Sequence, residues 1–278
     1  MIDDTNKSRP FLFIVLLVLA VAFLLPILIV LMNSFKGKFF ISDAPFVLPN
    51  SDTFVGLENY TSGIEKIGFF SAFGMSLFIT VFAVLAIVFF TSMTGWYLTR
   101  VKTKWSNALF FMFVFSMVVP FQMVMFTMTK TANVLNLDNP VGILLIYLGF
   151  GSGLSVFLFS GFVKSIPLEI EEAVMIDGGG PIAMFFRVIL PILKPIAITV
   201  AILNVMWVWN DYLLPYLVIG TEYKTIPIAV QYLKGGYGSI DMGAMMAMLV
   251  LAIIPIVLFY LLCQKYIIEG VVAGAVKG

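Results

Sequence analysis

The sequence predicts an all-α integral membrane protein with six transmembrane helices. Three observations predict it. Of the 278 residues, 61% are hydrophobic and 11% charged, against about half and about a quarter in a soluble globular domain. The mean hydropathy is +1.08. Six stretches are also long and apolar enough to cross a hydrocarbon core about 30 Å thick, which takes about 20 helical residues. The alternating pattern of barrel strands is absent. Helices suit lipid because they satisfy each backbone N–H and C=O inside their own segment.

The spans fall at 11–32, 70–98, 108–129, 141–163, 196–219 and 243–264, within one transmembrane domain over 1–278. The first has too long an apolar run for a signal peptide and no small-x-small site after Pro26, so it reads as an uncleaved anchor. The second ends in Arg100, Lys102 and Lys104, a strong marker of an inner loop. Gly149, Gly151, Gly153 and Gly161 on the fourth span let helices approach closely. The sixth carries Met242, Met245, Met246 and Met248, read as adaptable packing.

With the amino terminus inside, inner segments hold Lys7, Arg9, Arg100, Lys102, Lys104, Lys164, Arg187, Lys194, Lys265 and Lys277. Outer segments hold Lys36, Lys38, Lys66, Lys130, Lys224 and Lys234. The bias favours a multi-pass bacterial cytoplasmic-membrane protein with both termini in the cytoplasm.

Composition also excludes. A net charge of +1 gives no footprint for nucleic acid. The single Cys263 rules out an intramolecular disulfide and a Cys-rich metal site. The chain has no histidine, the commonest proton shuttle and metal ligand. No catalytic residue and no metal ligand set is expected. No Gly-x4-Gly-Lys-Ser/Thr loop occurs, so this chain is not itself an ATPase.

One polar island, 164–195, separates the fourth and fifth spans. Ser165 is placed to cap a helix starting near Pro167, which suits a first turn. Glu169, Glu171 and Glu172 cluster where a helix dipole favours negative charge. Ile170, Ala173, Val174 and Asp177 share a mostly apolar stripe. Gly178-Gly179-Gly180 then permits a sharp turn. Ile182, Phe185, Phe186 and Ile189 form a second apolar face at helical spacing. A helix lying on the inner leaflet would be rich in Lys and Arg. This one is acidic and suits docking into a protein groove instead.

Asp211 is the one carboxylate well inside a predicted span, and an intramembrane charge marks a functional site. Asn210, Trp207, Trp209 and Tyr212 lie beside it, with Asn204 seven residues earlier on the same helix face. Aromatic faces with hydrogen-bonding groups suit a sugar. Pairing of Asp211 with a partner subunit or a backbone donor is the equal alternative.

The pattern Glu172-Ala173-Val174, then Gly178, then Val188-Ile189-Leu190-Pro191 resembles the coupling loop of bacterial ABC-importer membrane subunits. That loop reads EAA, three residues, G, nine residues, I-x-L-P. Here Val174 replaces the second Ala and Val188 the Ile. Further phrases fit the maltose-type and multiple-sugar-type carbohydrate permeases, in the branch of the smaller six-span subunit. They are Val55-Gly-Leu-Glu-Asn-Tyr60, Trp209-Asn-Asp-Tyr-Leu-Leu-Pro215, Thr225-Ile-Pro-Ile228 and the tail 264–278.

The resemblance implies a type I ABC-importer fold and no enzymatic activity on this chain. It implies a second, non-identical permease subunit and two copies of an ABC ATPase that carry the ATP and Mg. It also implies an extracellular or periplasmic sugar-binding protein. Glu169, Glu172, Ala173, Asp177, Gly178, Leu190 and Pro191 would couple to the ATPase, and Gly270, Gly274 and Lys277 in the tail 265–278 would touch it. Asn204, Trp207, Asn210, Asp211 and Tyr212 are candidates for the substrate pathway. An ABC permease for a non-sugar solute is the runner-up. A secondary transporter ranks lower, because coupling-ion sites beyond Asp211 and inverted repeats are not found.

Overall fold

The computed structural model describes residues 8–220, 222–233 and 240–275, with side chains over 10–220, 222–233 and 240–266. Its helices, in chain order, are α1 Ser8–Asn33, α2 Lys38–Asp43, α3 Glu58–Ile67, α4 Phe69–Arg100, α5 Lys104–Ser116, α6 Phe121–Val134 and α7 Gly142–Val163. Then come α8 Glu169–Ile176, α9 Pro181–Met184, a π-helical turn at Phe185–Ile189, α10 Leu190–Ile192 and α11 Lys194–Asn210. The chain continues through α12 Leu213–Val218, α13 Ile226–Gln231 and α14 Met242–Ala275. No strand occurs among the described residues; Lys36 and Phe54 form an isolated bridge. Among the described residues, four helices are long and apolar enough to cross a membrane, or up to six if each of two bent pairs is one span.

One bent pair and a break after α11 differ from the sequence reading; the other bent pair, Pro181–Ile192 with Lys194–Asn210, turns by 74°. In place of one helix over 108–129, the structure has α5 and α6, bent by 108°. Pro120 sits at the break with extended backbone; its missing N–H and its ring disfavour a continuous helix there. The span expected over 196–219 is not one helix either. It ends as α11 at Asn210, Asp211 is extended at φ −72° and ψ 125°, and α12 starts afresh. The sixth helix overshoots its expected end at 264 and runs through to Ala275.

The chain divides into two compact units. The first holds the residues up to Phe70 with Ala229–Pro255. Within it α1 is apolar and exposed on all sides up to Leu28, so lipid or a neighbouring subunit must cover it. The connection after α1 is not a loose loop. The N–H of Gly37 donates to the carbonyl of Thr53 at 2.9 Å, and that of Val55 to Phe35 at 3.0 Å. Buried Asn59 donates from Nδ2 to the carbonyls of Ser34 and Lys36, both at 2.8 Å. Lys36, buried, donates from Nζ to the carbonyl of Ala44 at 2.8 Å. The phrase around Tyr60 is therefore built into the scaffold, with the Tyr60 hydroxyl 2.7 Å from Ser34 Oγ.

Lys66 pairs with Asp241, but the lysine is half exposed, and such pairs contribute about 0–1 kcal/mol. Burial pushes the Asp241 carboxyl up. Hydrogen bonds from Lys66 and the Ala244 N–H, with the charges of Lys66 and Lys38, outweigh it and leave the group below its ordinary range. Met248 is fully buried against Gly63, which supports the packing reading for that methionine.

The second unit, Ser71–Ile228 with the chain from Ile256 onward, holds two apolar clusters. One gathers Ile79, Ile143, Tyr147, Val208, Leu214 and Ile219. The other gathers Phe159, Val163, Ile166, Phe185, Ile189 and Leu193. Close helix approach holds at Gly151 and Gly153, where an added Cβ would lie 2.6 Å from Ile87 Cδ1 and from Ser116 Oγ. It does not hold at Gly149 or Gly161, which face open space.

An added Cβ on Gly243 would lie far inside contact distance of the buried Asn59 amide, 2.3 Å from Oδ1. Gly243→Ala therefore displaces the amide that ties Ser34 and Lys36 together. We expect a loss of about 2 kcal/mol, read as a lower midpoint of thermal unfolding in detergent.

Candidate functional site

The loop between α7 and α11 begins as the chain leaves the membrane helix at Val163. Ser165 does not cap α8 as expected: its Oγ donates back to the carbonyl of Phe162 at 2.7 Å. The residue before α8 is Leu168, whose carbonyl accepts from the N–H groups of Glu171 and Glu172. Pro167 thus precedes the helix instead of opening it. At the far end Gly178 takes φ +79°, a left-handed backbone that costs any residue with a Cβ about 1–2 kcal/mol. The N–H of Gly179 returns to the carbonyl of Val174 at 2.9 Å, which closes the helix.

The expected faces need correction. Of the stripe Ile170, Ala173, Val174 and Asp177, only Val174 turns inward, against the Phe185 cluster. Glu169, Glu172, Ala173, Asp177 and Gly178 are all exposed, as are Met175 and Ile176. The second face splits as well. Phe185 and Ile189 are buried, while Ile182 and Phe186 are exposed. The π-helical turn that starts at Phe185 widens the helix there and breaks the simple periodicity. Leu190 packs beside the same cluster and Pro191 is exposed.

Glu171 is not distinguished from its neighbouring glutamates by sequence, and it is the buried acid of the loop. Arg100 Nε donates to its Oε1 at 2.7 Å, and Trp96 Nε1 donates to its Oε2 at 3.2 Å. Arg100 Nη2 also donates to the carbonyl of Ile166 at 2.9 Å. The loop therefore presents an exposed acidic and apolar outer face and is pinned from within.

At the α11–α12 break, Asp211 Oδ1 accepts from the N–H of Leu213 at 3.1 Å and of Leu214 at 3.4 Å. Its Oδ2 accepts from the Tyr147 hydroxyl at 3.1 Å. The carboxylate thus supplies the first free N–H groups of α12 with acceptors where lipid offers none. This is the backbone-donor alternative of the sequence reading. Trp207, partly exposed, stands edge-on to Tyr147 at 5.4 Å, and Tyr212 stacks on Tyr216 at 5.1 Å. Asn210 is exposed and its amide donates to the Met206 carbonyl at 2.7 Å. Asn204 does not share an open wall with these groups. It is buried, donating to the Val200 carbonyl and to Ser155 Oγ on α7.

The bend between α5 and α6 opens an apolar hollow of about 650 Å³ against α7, lined by Met112, Phe115, Val124, Met128, Leu145 and Phe150. Gly270 and Gly274 lie on α14, where no side-chain surroundings are described, and Lys277 lies outside the described residues.

Long apolar helices, some of them bent, with one exposed polar loop between α7 and α11 define the class: a multi-pass membrane protein. Residues 88–272 match the family described as "Binding-protein-dependent transport system inner membrane component". The chain belongs to this family and is a permease subunit of the cytoplasmic membrane. It is 39% identical over 262 residues to the probable starch degradation products transport system permease protein AmyC of Thermoanaerobacterium thermosulfurigenes, covering 94% of both chains. It is 32% identical to the multiple sugar-binding transport system permease protein MsmG of Streptococcus mutans, covering 95% of this chain and 96% of that one. The melibiose/raffinose/stachyose import permease protein MelC of Bacillus subtilis is 30% identical, with 98% of each covered. A chain of a bacterial ABC transporter that imports the acidic polysaccharide alginate shares the fold, with a TM-score of 0.77 at 23% identity over 96% of this chain and 99% of that one.

Asp211→Ala leaves the Leu213 and Leu214 N–H groups without an acceptor. The expected loss is about 1–2 kcal/mol of stability. Tyr147→Phe, which removes one hydrogen bond to a carboxylate that keeps two, is expected to cost about half as much. Thermal unfolding of the two purified variants compares them.

Proposed function

We propose that this chain is one of two non-identical permease subunits of an ATP-driven importer for a sugar or oligosaccharide. Two copies of an ABC ATPase, which bind the ATP and Mg, sit against its inner face. A binding protein delivers the solute from outside. The names of AmyC, MsmG and MelC, at 39%, 32% and 30% identity over almost the whole chain, support the sugar class. Both termini and the 164–195 loop lie in the cytoplasm on this reading, in keeping with Arg100, Lys102 and Lys104 at the same end.

The observation that carries the reading is the exposed face of α8. Glu169, Glu172, Ala173 and Asp177 all stand clear of the rest of the chain, with Gly178 fixing the turn beyond them. They form the surface that seats in the ATPase, and Leu190 and Pro191 shape the return to the membrane. Gly270, Gly274 and Lys277 give the ATPase pair a second contact. Closure of the ATPases carries α8 with it and shifts the helices between inward-facing and outward-facing arrangements. Trp207, Asn210, Asp211 and Tyr212 lie toward the pathway. Asp211 holds the helix break open for it, and Asn204 supports that wall from behind.

The complex is tested by co-expression with the neighbouring permease, ATPase and binding protein. ATPase turnover is then measured with malto-oligosaccharides and raffinose-type sugars. One class of sugar is expected to stimulate hydrolysis. Gly178→Pro, which cannot adopt a positive φ, is expected to abolish stimulation while the subunits still co-purify. If only a non-sugar solute stimulates the complex, the solute class is wrong. If the chain alone moves solute in liposomes without any ATPase, the importer reading is wrong.

A further inference from the structure

We propose that Arg100 and Glu171 form the link through which movement of α8 reaches the membrane helix α4. This rests on the coupling role proposed above for the loop. Of the family pattern in the loop, the leading Glu172 and Ala173 face outward. Glu171 points the other way and is 5% exposed.

Both of its oxygens are held by α4. Arg100 and Trp96 stand four residues apart, one helical turn, so their side chains project from one face and grip one carboxylate. The same guanidinium reaches the Ile166 carbonyl, so it fixes α8 and the turn leading into it together. The Trp96 ring meets Phe185 at 5.5 Å, the first residue of the π-helical turn on the loop's return limb. Both limbs of the loop therefore converge on the last turn of α4. The 32 residues of α4 rise about 48 Å, more than a hydrocarbon core. A helix of that length has room for its basic end at Arg100, where α8 packs, to stand outside the core.

The chemistry suits transmission of a displacement. An exposed pair yields to water and salt, whereas this one has side-chain exposures of 16% and 7%. Guanidinium donors leave in fixed directions, and lysine cannot hold the carboxylate and the carbonyl in one geometry. Ser160 Oγ also donates to the Gly95 carbonyl at 3.3 Å, one residue from Trp96, so α4 and α7 are joined at the same level. With the pair intact, a pull on α8 tilts α4. Without it, the loop yields first.

The test uses the assembled complex in liposomes with its binding protein, and reads solute moved per ATP hydrolysed. Glu171→Gln and Arg100→Gln are each expected to lower this ratio about tenfold against the unsubstituted complex, with assembly retained. Two groups acting as one link are not additive, so the double variant is expected to match either single one. Arg100→Lys is expected to fall between. An unchanged ratio in both single variants overturns the proposal. So does a double variant whose losses multiply, and so does loss of assembly, which would make the pair a folding element only. If the unsubstituted complex itself shows no ATP-dependent transport, the failure lies in the importer reading, and this inference falls with it.

Discussion

A carboxylate withdrawn from water must be paired, and the shape of the loop between α7 and α11 follows from how Glu171 is paired. Breaking a buried pair by removing one member costs about 3–5 kcal/mol, because the other charge is left stranded. An exposed pair such as Lys66–Asp241 contributes a fraction of that. The Arg100 guanidinium fixes the start of α8, and the Gly178 backbone fixes its end. Between those two points the helix has little freedom to choose which side chains it exposes. Glu172, Ala173 and Ile176 face outward because Glu171 and Val174 are held inward.

The same need for partners governs the membrane-embedded parts. A helix that stops inside an apolar layer leaves N–H groups that lipid cannot satisfy. Asp211 answers that need at α12, and Tyr147 holds its second oxygen. An intramembrane carboxylate can therefore act as a structural cap, holding the break between α11 and α12. In the first unit, Asn59 and Lys36 close backbone carbonyls in a similar way. Buried hydroxyls on the long helices do otherwise: Thr91, Ser92, Ser152 and Ser155 return to carbonyls of their own helices.

Much of this is legible in the sequence. Spans 70–98 and 141–163 lie within or close to α4 and α7, because a long apolar run without proline has few alternatives. Gly178 reads as a turn residue, and its positive φ explains why glycine stands there. The family follows from the spacing between Glu172, Gly178 and Pro191 and from the phrases around it. Hydropathy averaged across Pro120 hides the break between α5 and α6, although the proline itself is a signal. The break at Asp211 has a weaker signal, a carboxylate in an apolar run. Glu171 escapes because it sits among other glutamates, and its partner is 71 positions away. A clue is present: Glu171 lies three residues before Val174, on the same inward face. Ser165 misleads because its hydroxyl has an equally good local acceptor in the preceding turn.

The proposed seat of the outer face of α8 on the ATPase can be probed at one residue. Ile176 is 85% exposed at the end of that helix. With Cys263, the single native cysteine, replaced by serine, Ile176→Cys gives one defined attachment point for a short photoactivatable cross-linker. In the assembled complex a cross-link to the ATPase subunit is expected, with a yield that changes on adding ATP. A cross-link to the binding protein, or labelling of the introduced thiol only from the outer side of the membrane, would contradict it.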